Sequence, residues 1–436
     1  MSHDIAPFLD RRNQLLERIG EGVVVLPAAP VFIRNNDVEH AYRQDSDFWY
    51  LTAFDEPEAV LVLRNVGGER SSVLFLRERN IEREIWDGPR LGVERAPGAL
   101  AIDEAYPISE LASRLPRLLL GASHLHAQVG RAHPFDASLF DALAKARGFA
   151  RRSGDAVPNT IVDFSETLHE MRLRKSKQEV AAMEAAAAIS AAAHRRAMEF
   201  AKPGMHEYEV EAEMLRVFHQ QGAPRTAYDS IVGSGANATI LHYRSNRRRI
   251  EDGELLLIDA GCELAFYASD ITRTFPVGGR FSPAQRTLYE IVLRSQEAAI
   301  EAAVVGGSLD SVHGVAVRIL SEGMIECGLL EGTIDEAIES ESYKQFYMHR
   351  TGHWLGLDVH DVGSGFADGK ARPLEEGFVL TVEPGIYVAQ NADVDPSFRG
   401  IGIRIEDDIL VTADGPRNLT ADVPKTVDAI EALTAG

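Results

Sequence analysis

The sequence predicts an α+β protein with two domains, a smaller α/β domain at 1–170 and a larger α+β domain at 171–436. In the first ~160 residues, short β-branched or aromatic runs alternate with helix-like or polar segments, which is typical of an α/β domain. In the remainder, a pair of helices followed by strands occurs twice. That order indicates a pseudo-repeated domain in which helices back a curved antiparallel sheet.

The N-terminal part is predicted to begin with a helix at 8–19. Short runs rich in β-branched and aromatic residues then predict strands. These strands cover 23–26, 48–51, 59–63 and 72–76. We expect the boundary between the domains from Val157-Pro158-Asn159 to Arg174, where regular patterns break off.

Capping patterns mark the helices of the second domain. Ser176 followed by Glu179 is a capping box, and Ser282 followed by Pro283 places proline at the first helical position. The predicted helices cover 176–201, 207–221, 282–305 and 309–327. No clean internal sequence repeat is visible.

Composition excludes several classes of protein. The 436 residues are 45% hydrophobic and 25% charged, with a formal net charge of −21. This charge argues against a nucleic-acid-binding protein and favours accumulation of cations. Two cysteines, Cys262 and Cys327, exclude a disulfide framework. Because there is no secretory signal pattern in the first residues and no apolar run of about 18 residues, we expect a cytoplasmic protein without a membrane span.

Four acidic residues of the second domain stand where a strand core or a tight loop is expected. Asp259 ends an apolar run at 255–258, and Asp270, Glu383 and Glu406 lie in similar surroundings. A buried carboxylate without a partner is costly, so it changes its pKa or binds a cation. These four acids together with His353 therefore predict a metal site.

Among the four acids, Asp259 and Asp270 form the pair with the clearest sequence pattern. If 262–267 is the turn of a hairpin, the two residues lie almost opposite each other, with Cβ atoms about 4.5–5.5 Å apart. A dication between them would replace repulsion by attraction. The alternative, two exposed loop acids, is disfavoured by their apolar neighbours.

The other two acids occupy extended segments. Glu383 precedes Pro384, which biases its backbone to the extended region at a strand end. Glu406 shares one strand face with Arg404, two residues earlier. A simple ion pair between Arg404 and Glu406 is the alternative to a metal-binding role.

Histidines cluster in the same half of the chain. His349, His353 and His360 fall within twelve residues among glycines, and His242 lies further upstream. This density favours a functional site over separate core or surface histidines.

An oxygen-rich set of four carboxylates and one imidazole favours Mn²⁺, and Co²⁺, Fe²⁺ or Zn²⁺ also fit. Two bridging carboxylates suit two ions about 3.5–4 Å apart, with a water between them activated as hydroxide. Nearby histidines would stabilise the oxyanion. The pattern therefore predicts a hydrolase. The glycine-rich stretch at 233–237 does not complete a phosphate or dinucleotide fingerprint, and no nucleophile elbow is present.

Nearly the whole chain resembles the Xaa-Pro aminopeptidases (aminopeptidase P) of the bacterial manganese type. The N-terminal motifs are DSDFWYLT at 45–52, EPEA at 56–59 and EIWDGPRLG at 84–92. The C-terminal motifs are IVGSG at 231–235, LIDAGC at 257–262, SDITRTFPV at 269–277, GHWLGLDVHDVG at 352–363, TVEPGIY at 381–387 and GIGIRIEDD at 400–408.

The resemblance implies a pita-bread catalytic domain behind a smaller α/β domain. It also implies cleavage of the N-terminal residue from peptides whose second residue is proline. By motif match, the residues in the positions of the family's five metal ligands are Asp259, Asp270, His353, Glu383 and Glu406. Asp270 and Glu406 resemble the bridging pair, and Glu383 the carboxylate that helps to activate the water.

The remaining site residues also follow from the resemblance. His242 and His360 match histidines that contact substrate and stabilise the tetrahedral intermediate. The residues that match positions near the proline pocket are His349, Tyr387 and Arg404, and Arg404 is also a catalytic candidate.

Two further positions bear on assembly and on the substrate. Trp86 matches a tryptophan that a neighbouring subunit supplies in bacterial tetramers, which implies a homo-oligomer, a tetramer or a dimer. Arg350 is a departure, since the family usually has glycine there, and it bears on the loop conformation and on substrate preference.

A prolidase, which cuts only Xaa-Pro dipeptides with the same fold and ligands, is the nearest alternative. The N-terminal motifs and the Trp86 segment favour the aminopeptidase. A methionine aminopeptidase would normally lack so long an N-terminal domain. A catalytically inactive binding homologue of the fold is disfavoured, because such proteins lose ligands and all five are present here.

Overall fold

The computed structural model describes residues 4–131 and 135–434. Contacts divide the chain into two compact units, Met1–Met171 and Arg172–Gly436. Among the described residues, no helix is long and apolar enough to cross a membrane.

The N-terminal unit is built around a mixed six-stranded sheet. Its helices are α1 (Ala6–Ile19), α2 (Ser46–Thr52), α3 (Ile81–Asp87), α4 (Ala96–Leu100), α5 (Leu111–Leu118) and α6 (Phe135–Ser153). Its strands are β1 (Gly22–Pro27), β2 (Ile33–Asn35), β3 (Val38–Glu39), β4 (Val60–Val66), β5 (Glu69–Leu76), β6 (Glu104–Pro107), β7 (His124–His126) and β8 (Thr160–Val162). The sheet order is β6-β5-β4-β1-β7-β8, and β2 and β3 form a separate hairpin.

Most elements predicted for this unit are confirmed. The helix at 8–19 is α1, and the strands at 23–26, 59–63 and 72–76 are β1, β4 and β5. The strand predicted at 48–51 is wrong, because these residues lie in helix α2. The side chain of Asp45 caps α2 by accepting the backbone N–H of Phe48 at 2.9 Å. All seven residues of α2 are buried, so the sequence has no polar face to reveal a helical period.

The C-terminal unit combines long helices with several small antiparallel sheets. After α7 (Ser165–Leu173), its helices are α8 (Lys177–Phe200), α9 (Glu207–Gln220), α10 (Pro283–Glu301), α11 (Leu309–Glu326), α12 (Ile334–Glu339) and α13 (Val427–Thr434). The strands of its first half are β9 (Arg225–Thr226), β10 (Ile231–Ser234), β11 (Leu255–Asp259), β12 (Cys262–Leu264), β13 (Tyr267–Ala268) and β14 (Thr272–Pro276). Those of its second half are β15 (Phe366–Ala367), β16 (Lys370–Ala371), β17 (Val379–Val382), β18 (Gly385–Tyr387), β19 (Gly402–Arg404), β20 (Asp407–Thr412) and β21 (Gly415–Asn418).

The four helices predicted in this unit are confirmed as α8 to α11. Complete capping boxes begin α8 at Ser176 and α10 at Ser282. Strands follow α9 and again follow α11 and α12, which is the predicted order. The sheets include β10-β11-β14, β13-β12-β9, β17-β20-β21 and β18-β19. A hydrophobic core joins helices to strands, with Ala186, Leu288, Leu256 and Ile403 among its fully buried members.

Candidate metal and peptide site

Asp259 is the last residue of β11, and the register of this strand corrects the predicted hairpin. Its partner across the ladder is Thr272 of β14, not Asp270. The segment predicted as one turn contains β12 and β13, and Ala265 and Phe266 form its actual turn with φ of 49° and 68°. This short extra hairpin shifts the register, so Asp270 lies just before β14.

Close backbone packing brings the two aspartates together all the same. A Cβ at Gly261 would lie 1.8 Å from the carbonyl oxygen of Ser269, so only glycine fits there. The hydroxyl of Tyr228 lies 2.6 Å from Oδ1 of Asp259 and 2.5 Å from Oδ1 of Asp270. The sequence analysis missed Tyr228, which has no local pattern and reaches the site from the segment after β9.

Glu406 joins the site from the loop between β19 and β20. Its backbone N–H donates to the carbonyl of Thr272, and its Oε2 accepts the hydroxyl of Thr272 at 2.7 Å. The hydroxyl oxygen of Thr272 also accepts a hydrogen bond from Nε of Arg404 at 3.0 Å. Thr272 was missed as well, although it lies two residues after Asp270 and so faces the same side of an extended segment.

Arg404 forms an ion pair with Asp259 rather than with Glu406, the pair that the sequence offered as the alternative to metal binding. Its Nη2 donates to Oδ2 of Asp259 at 2.6 Å, and the alternative ion pair with Glu406 is not the one formed. Its Nη1 donates to the hydroxyl of Tyr387 at 3.0 Å. Tyr387 in turn lies 2.9 Å from Nε2 of His349. Arg404 therefore links an acid of the cluster to the two other residues predicted near the proline pocket.

His353 and Glu383 lie on the other side of the cluster. Nε2 of His353 is 3.5 Å from Oδ2 of Asp270 and 3.6 Å from Oε1 of Glu383. Nδ1 of His353 lies 2.9 Å from the carbonyl of Trp354, which can fix the ring with Nε2 turned toward the acids. Glu383 directly follows β17, as predicted.

Asp270, His353 and Glu406 can each offer one ligand atom within 4.8 Å of the others. Behind them, Oδ2 of the buried Asp408 accepts the backbone N–H of Asp270 at 3.1 Å. Oδ1 of Asp408 is buried without a hydrogen-bond partner among the described residues. Asp408, also missed, supports Asp270 from the core side.

The electrostatics of the cluster fit divalent cations. Burial raises the pKa of Asp259, raises that of Glu383 to about 7, and raises that of Glu406 well above its usual range. Burial opposes protonation of His353, but Asp270 and Glu383 outweigh it and raise the pKa of this imidazole to about 9. Burial without matching positive charge thus disfavours the ionised forms of Asp259, Glu383 and Glu406, which is what an uncompensated anionic site does. Divalent cations would supply the missing charge.

Two further predicted residues lie near this cluster. The ring of His360 is 4.3 Å from that of His353, centroid to centroid. The next residue, Asp361, is fixed by Arg172 at 2.6 Å and Lys175 at 3.0 Å. Burial lowers the pKa of His360. Leu241 and Tyr243, which flank His242, pack against a hydrophobic cluster that includes Tyr387, and this places the His242 segment beside the site.

Trp86 lies on α3 in the N-terminal unit. Its side chain is 83% exposed. Arg350, the departure noted in the sequence, forms an ion pair with Asp310 in the first turn of α11, which ties the His349 loop to that helix.

Comparison with known proteins gives the same picture. The profile of metallopeptidase family M24 matches residues 181–413, and that of the aminopeptidase P N-terminal domain matches residues 8–126. The chain is 47% identical over 428 residues to the Xaa-Pro aminopeptidase of Escherichia coli K12, covering 98% of this chain and 97% of the relative. It is 34% identical to the mitochondrial intermediate cleaving peptidase 55 of Arabidopsis thaliana, covering 98% and 83%.

Solved structures agree over the full length. The Pseudomonas aeruginosa aminopeptidase PepP superposes with a TM-score of 0.97 at 49% identity, covering 100% of this chain and 99% of that one. A zinc-substituted Escherichia coli aminopeptidase P in complex with product gives 0.96 at 46% identity, covering 100% and 99%. The pita-bread fold predicted from the sequence is thereby confirmed. The chain belongs to the Xaa-Pro aminopeptidases of metallopeptidase family M24.

Proposed function

We propose that this Xaa-Pro aminopeptidase works with two divalent metal ions, most simply Mn²⁺. The residues that would hold them are Asp259, Asp270, His353, Glu383 and Glu406. The observation that carries the proposal is the concentration of buried carboxylates around one basic side chain, Arg404, with an imidazole turned into the group. Oxygen-rich sites of this kind favour Mn²⁺ over a structural zinc.

The ligands divide by their positions. Asp270 and Glu406 would be the ligands that both ions share. Asp259 would complete one ion site, and His353 with Glu383 the other. When bound, divalent ions supply Lewis acidity and lower the pKa of a water so that it attacks the peptide carbonyl at neutral pH.

The chain's own groups handle the proton and the developing charge. The Glu383 carboxylate would take the proton of the attacking water. The imidazoles of His242 and His360 donate to the oxyanion as the carbonyl becomes tetrahedral. Arg404 orients Asp259 through the 2.6 Å ion pair and favours its ionised form against the effect of burial.

The linked side chains of His349, Tyr387 and Arg404 would select proline at the second position of the peptide. The Xaa-Pro bond is a tertiary amide without an N–H, so no acceptor can recognise it. Recognition must come from a surface shaped for the pyrrolidine ring and from donors to the next carbonyl. The hydrogen bonds from Arg404 to Tyr387 and between Tyr387 and His349 hold these three side chains as one surface.

The alternatives are less well supported. Relatives that cover nearly the whole chain are named Xaa-Pro aminopeptidases, which disfavours a prolidase. An inactive binding homologue is disfavoured because three of the proposed ligand residues lie close enough to share an ion.

The deciding experiment is elemental analysis of purified protein by mass spectrometry, combined with turnover of an Xaa-Pro-Yaa peptide after removal and return of metals. We expect two ions per chain and the highest turnover with Mn²⁺. The zinc-substituted relative shows that such a protein accepts Zn²⁺, so Zn²⁺ and Co²⁺ are the comparison metals. One ion per chain in fully active protein would contradict the dinuclear proposal.

We also propose a homo-oligomer assembled in part through α3. No residue of α3 is buried, and Ile81, Ile85 and Trp86 are 78%, 76% and 83% exposed. So much apolar surface on one short helix is typical of a contact with another chain.

A cytoplasmic location is proposed because Cys262 and Cys327 are both free thiols, which suits a reducing compartment. Fractionation of the source cells with an antibody tests it.

A further inference from the structure

Glu207 is a heavily hydrogen-bonded carboxylate that the proposed chemistry does not use. It is the first residue of α9 and is fully buried. A carboxylate has about four lone-pair sites, and a buried one must fill them from protein donors when no water reaches it. Glu207 accepts hydrogen bonds from donors that lie close together in the chain.

All five donors come from the segment 234–248. Oε1 accepts the backbone N–H of Ser234 at 2.8 Å, its hydroxyl at 2.8 Å and Nδ2 of Asn237 at 3.1 Å. Oε2 accepts the hydroxyl of Tyr243 at 2.8 Å and the backbone N–H of Arg248 at 2.8 Å. One carboxylate therefore holds the beginning, middle and end of a segment whose regular structure ends with a 3₁₀ helix at Gly235–Thr239.

His242 lies inside that segment, next to Tyr243. Its side chain is exposed, and the described residues provide it with no hydrogen-bond partner. The ring therefore has to be placed by its backbone. Leu241 and Tyr243, on either side of His242, pack against a hydrophobic cluster that includes Tyr387, so the loop lies beside the group of His349, Tyr387 and Arg404.

We propose that Glu207 is a positioning residue for His242: its five hydrogen bonds fix the loop 234–248 so that the imidazole faces the substrate carbonyl. The inference rests on the proposed oxyanion role of His242. Glu207 itself lies under the loop, bonded to loop residues, and has no part in binding metal or peptide in the proposed mechanism.

The test is a double-mutant cycle on metal-loaded enzyme with an Xaa-Pro-Yaa peptide. Glu207→Gln keeps the shape, but its amide NH₂ cannot accept the donors that one carboxylate oxygen accepts. Because a small displacement of a catalytic group is costly, we expect kcat to fall about 10–100-fold with KM changed far less and metal content unchanged. In the His242→Ala background the same change should have little further effect, since the residue being positioned is already gone.

Two variants make the result specific. Tyr243→Phe removes one donor to Oε2 and should lower kcat in the same direction but less, which covers the case that Glu207→Gln does not fold. Glu213→Gln is the matched control on the same helix. Its carboxylate pairs with Arg196 at 2.6 Å and Arg216 at 2.8 Å, away from the loop, and kcat should not change.

Hydrogen exchange separates this inference from the role of His242. Glu207→Gln should speed exchange in peptides covering 234–248 and leave the rest of α9 protected. If His242→Ala has no effect on kcat, the role proposed for His242 fails and the positioning inference fails with it, whereas faster exchange would still show that Glu207 fixes the loop. The inference alone is overturned if His242→Ala lowers kcat but Glu207→Gln lowers it equally in both backgrounds, or not at all.

Discussion

At the scale of single residues, the central fact is that buried acids outnumber the cations that could neutralise them. Asp270 is 4% and Glu406 2% exposed, and both lie within ligand distance of His353. Bound divalent cations would supply the missing positive charge, so the loss of one ligand carboxylate should weaken metal binding.

Asp270→Ala and Glu406→Ala should each abolish turnover together with metal binding, because each removes a ligand that both ions share. Elemental analysis after gel filtration and turnover at ordinary metal concentrations measure the two effects. Glu375→Ala is the control, since this carboxylate is 46% exposed and pairs with Arg174. Full metal content with substantial turnover in either ligand variant would show that the bridging residues are others.

His242→Ala and His360→Ala should keep both ions and lower kcat by about 10²–10³, because a donor aimed at an oxyanion acts mainly in the transition state. KM should change little. His40→Ala is the control, since this histidine is exposed and lies in the N-terminal unit. A rise in KM at constant kcat would mean that the two histidines bind the ground state only.

The sequence indicates this candidate site more clearly than its surroundings. An acid at the end of an apolar run is conspicuous in the sequence, which is why Asp259 and Glu383 were predicted as site residues. Tyr228, Thr272 and Asp408 have no such signature. Their importance arises from hydrogen bonds to residues that are distant along the chain or on a neighbouring strand, and no local pattern encodes those contacts.

At the scale of elements, β14 and β20 are joined by a buried ion pair directly behind Glu406. Nη2 of Arg273 donates to Oδ1 of Asp407 at 2.7 Å, and both side chains are fully buried. Nη1 of Arg273 also donates to the carbonyl of Glu406 at 2.6 Å. Lys425 contacts the other oxygen of Asp407 at 2.8 Å. The pair therefore fixes the backbone that carries a proposed ligand.

Arg273→Met should lower the stability of the C-terminal unit by about 3–5 kcal/mol, because it leaves Asp407 buried beside one remaining cation. The midpoint of urea unfolding followed by circular dichroism measures it. Arg286→Met is the control, since its pair with Glu290 on α10 is half-exposed and the midpoint should not move. An unchanged midpoint for Arg273→Met would contradict a structural role for the pair.

The same pair gives a pH dependence. Burial alone would raise the pKa of Asp407, but Arg273 and Lys425 outweigh it and hold this pKa well below its usual range. A folded-state pKa below the unfolded value of about 3.9 means that the stabilisation is complete above that pH and is lost as the pH falls toward the folded pKa. The stability difference between wild type and Arg273→Met should therefore shrink below about pH 4. A difference that stays constant down to pH 2 would contradict this assignment.

Elements were predicted well where amphipathic periods and caps are clear, as in α8 to α11. The wrong prediction at α2 has a physical cause, because a helix that is buried on all sides can have the same continuous apolar run as a buried strand. The register of β11 against β14 was also missed. It depends on the small hairpin of β12 and β13, which nothing at Asp259 or Asp270 reveals.

At the scale of the whole molecule, the exposed apolar side chains of α3 bear on assembly. Trp86→Ala should weaken the oligomer and lower turnover of short peptides without changing metal content. Light scattering after gel filtration, over a range of protein concentrations, measures the mass. Glu82→Ala on the same helix is the control. A wild-type monomer at all concentrations would contradict the homo-oligomer.

Substrate choice tests the whole arrangement at once. The N-terminal Xaa-Pro bond offers no N–H, so an enzyme that reads it through His349, Tyr387 and Arg404 should distinguish ring shape rather than hydrogen bonding. We expect Xaa-Pro-Yaa peptides to be cleaved well, Xaa-Ala-Yaa peptides poorly, and Xaa-Pro dipeptides more slowly than the tripeptides, because a dipeptide lacks the carbonyl beyond proline as an amide acceptor. Initial rates on matched peptides with Mn²⁺ give kcat/KM for each.

Tyr387→Phe breaks the link between His349 and Arg404 while retaining the ring, and it should lower the ratio of kcat/KM for proline peptides to that for alanine peptides. Equal rates on Xaa-Pro-Yaa and Xaa-Ala-Yaa in the wild-type enzyme would contradict the role of these three residues, and faster cleavage of dipeptides than of tripeptides would favour the prolidase alternative.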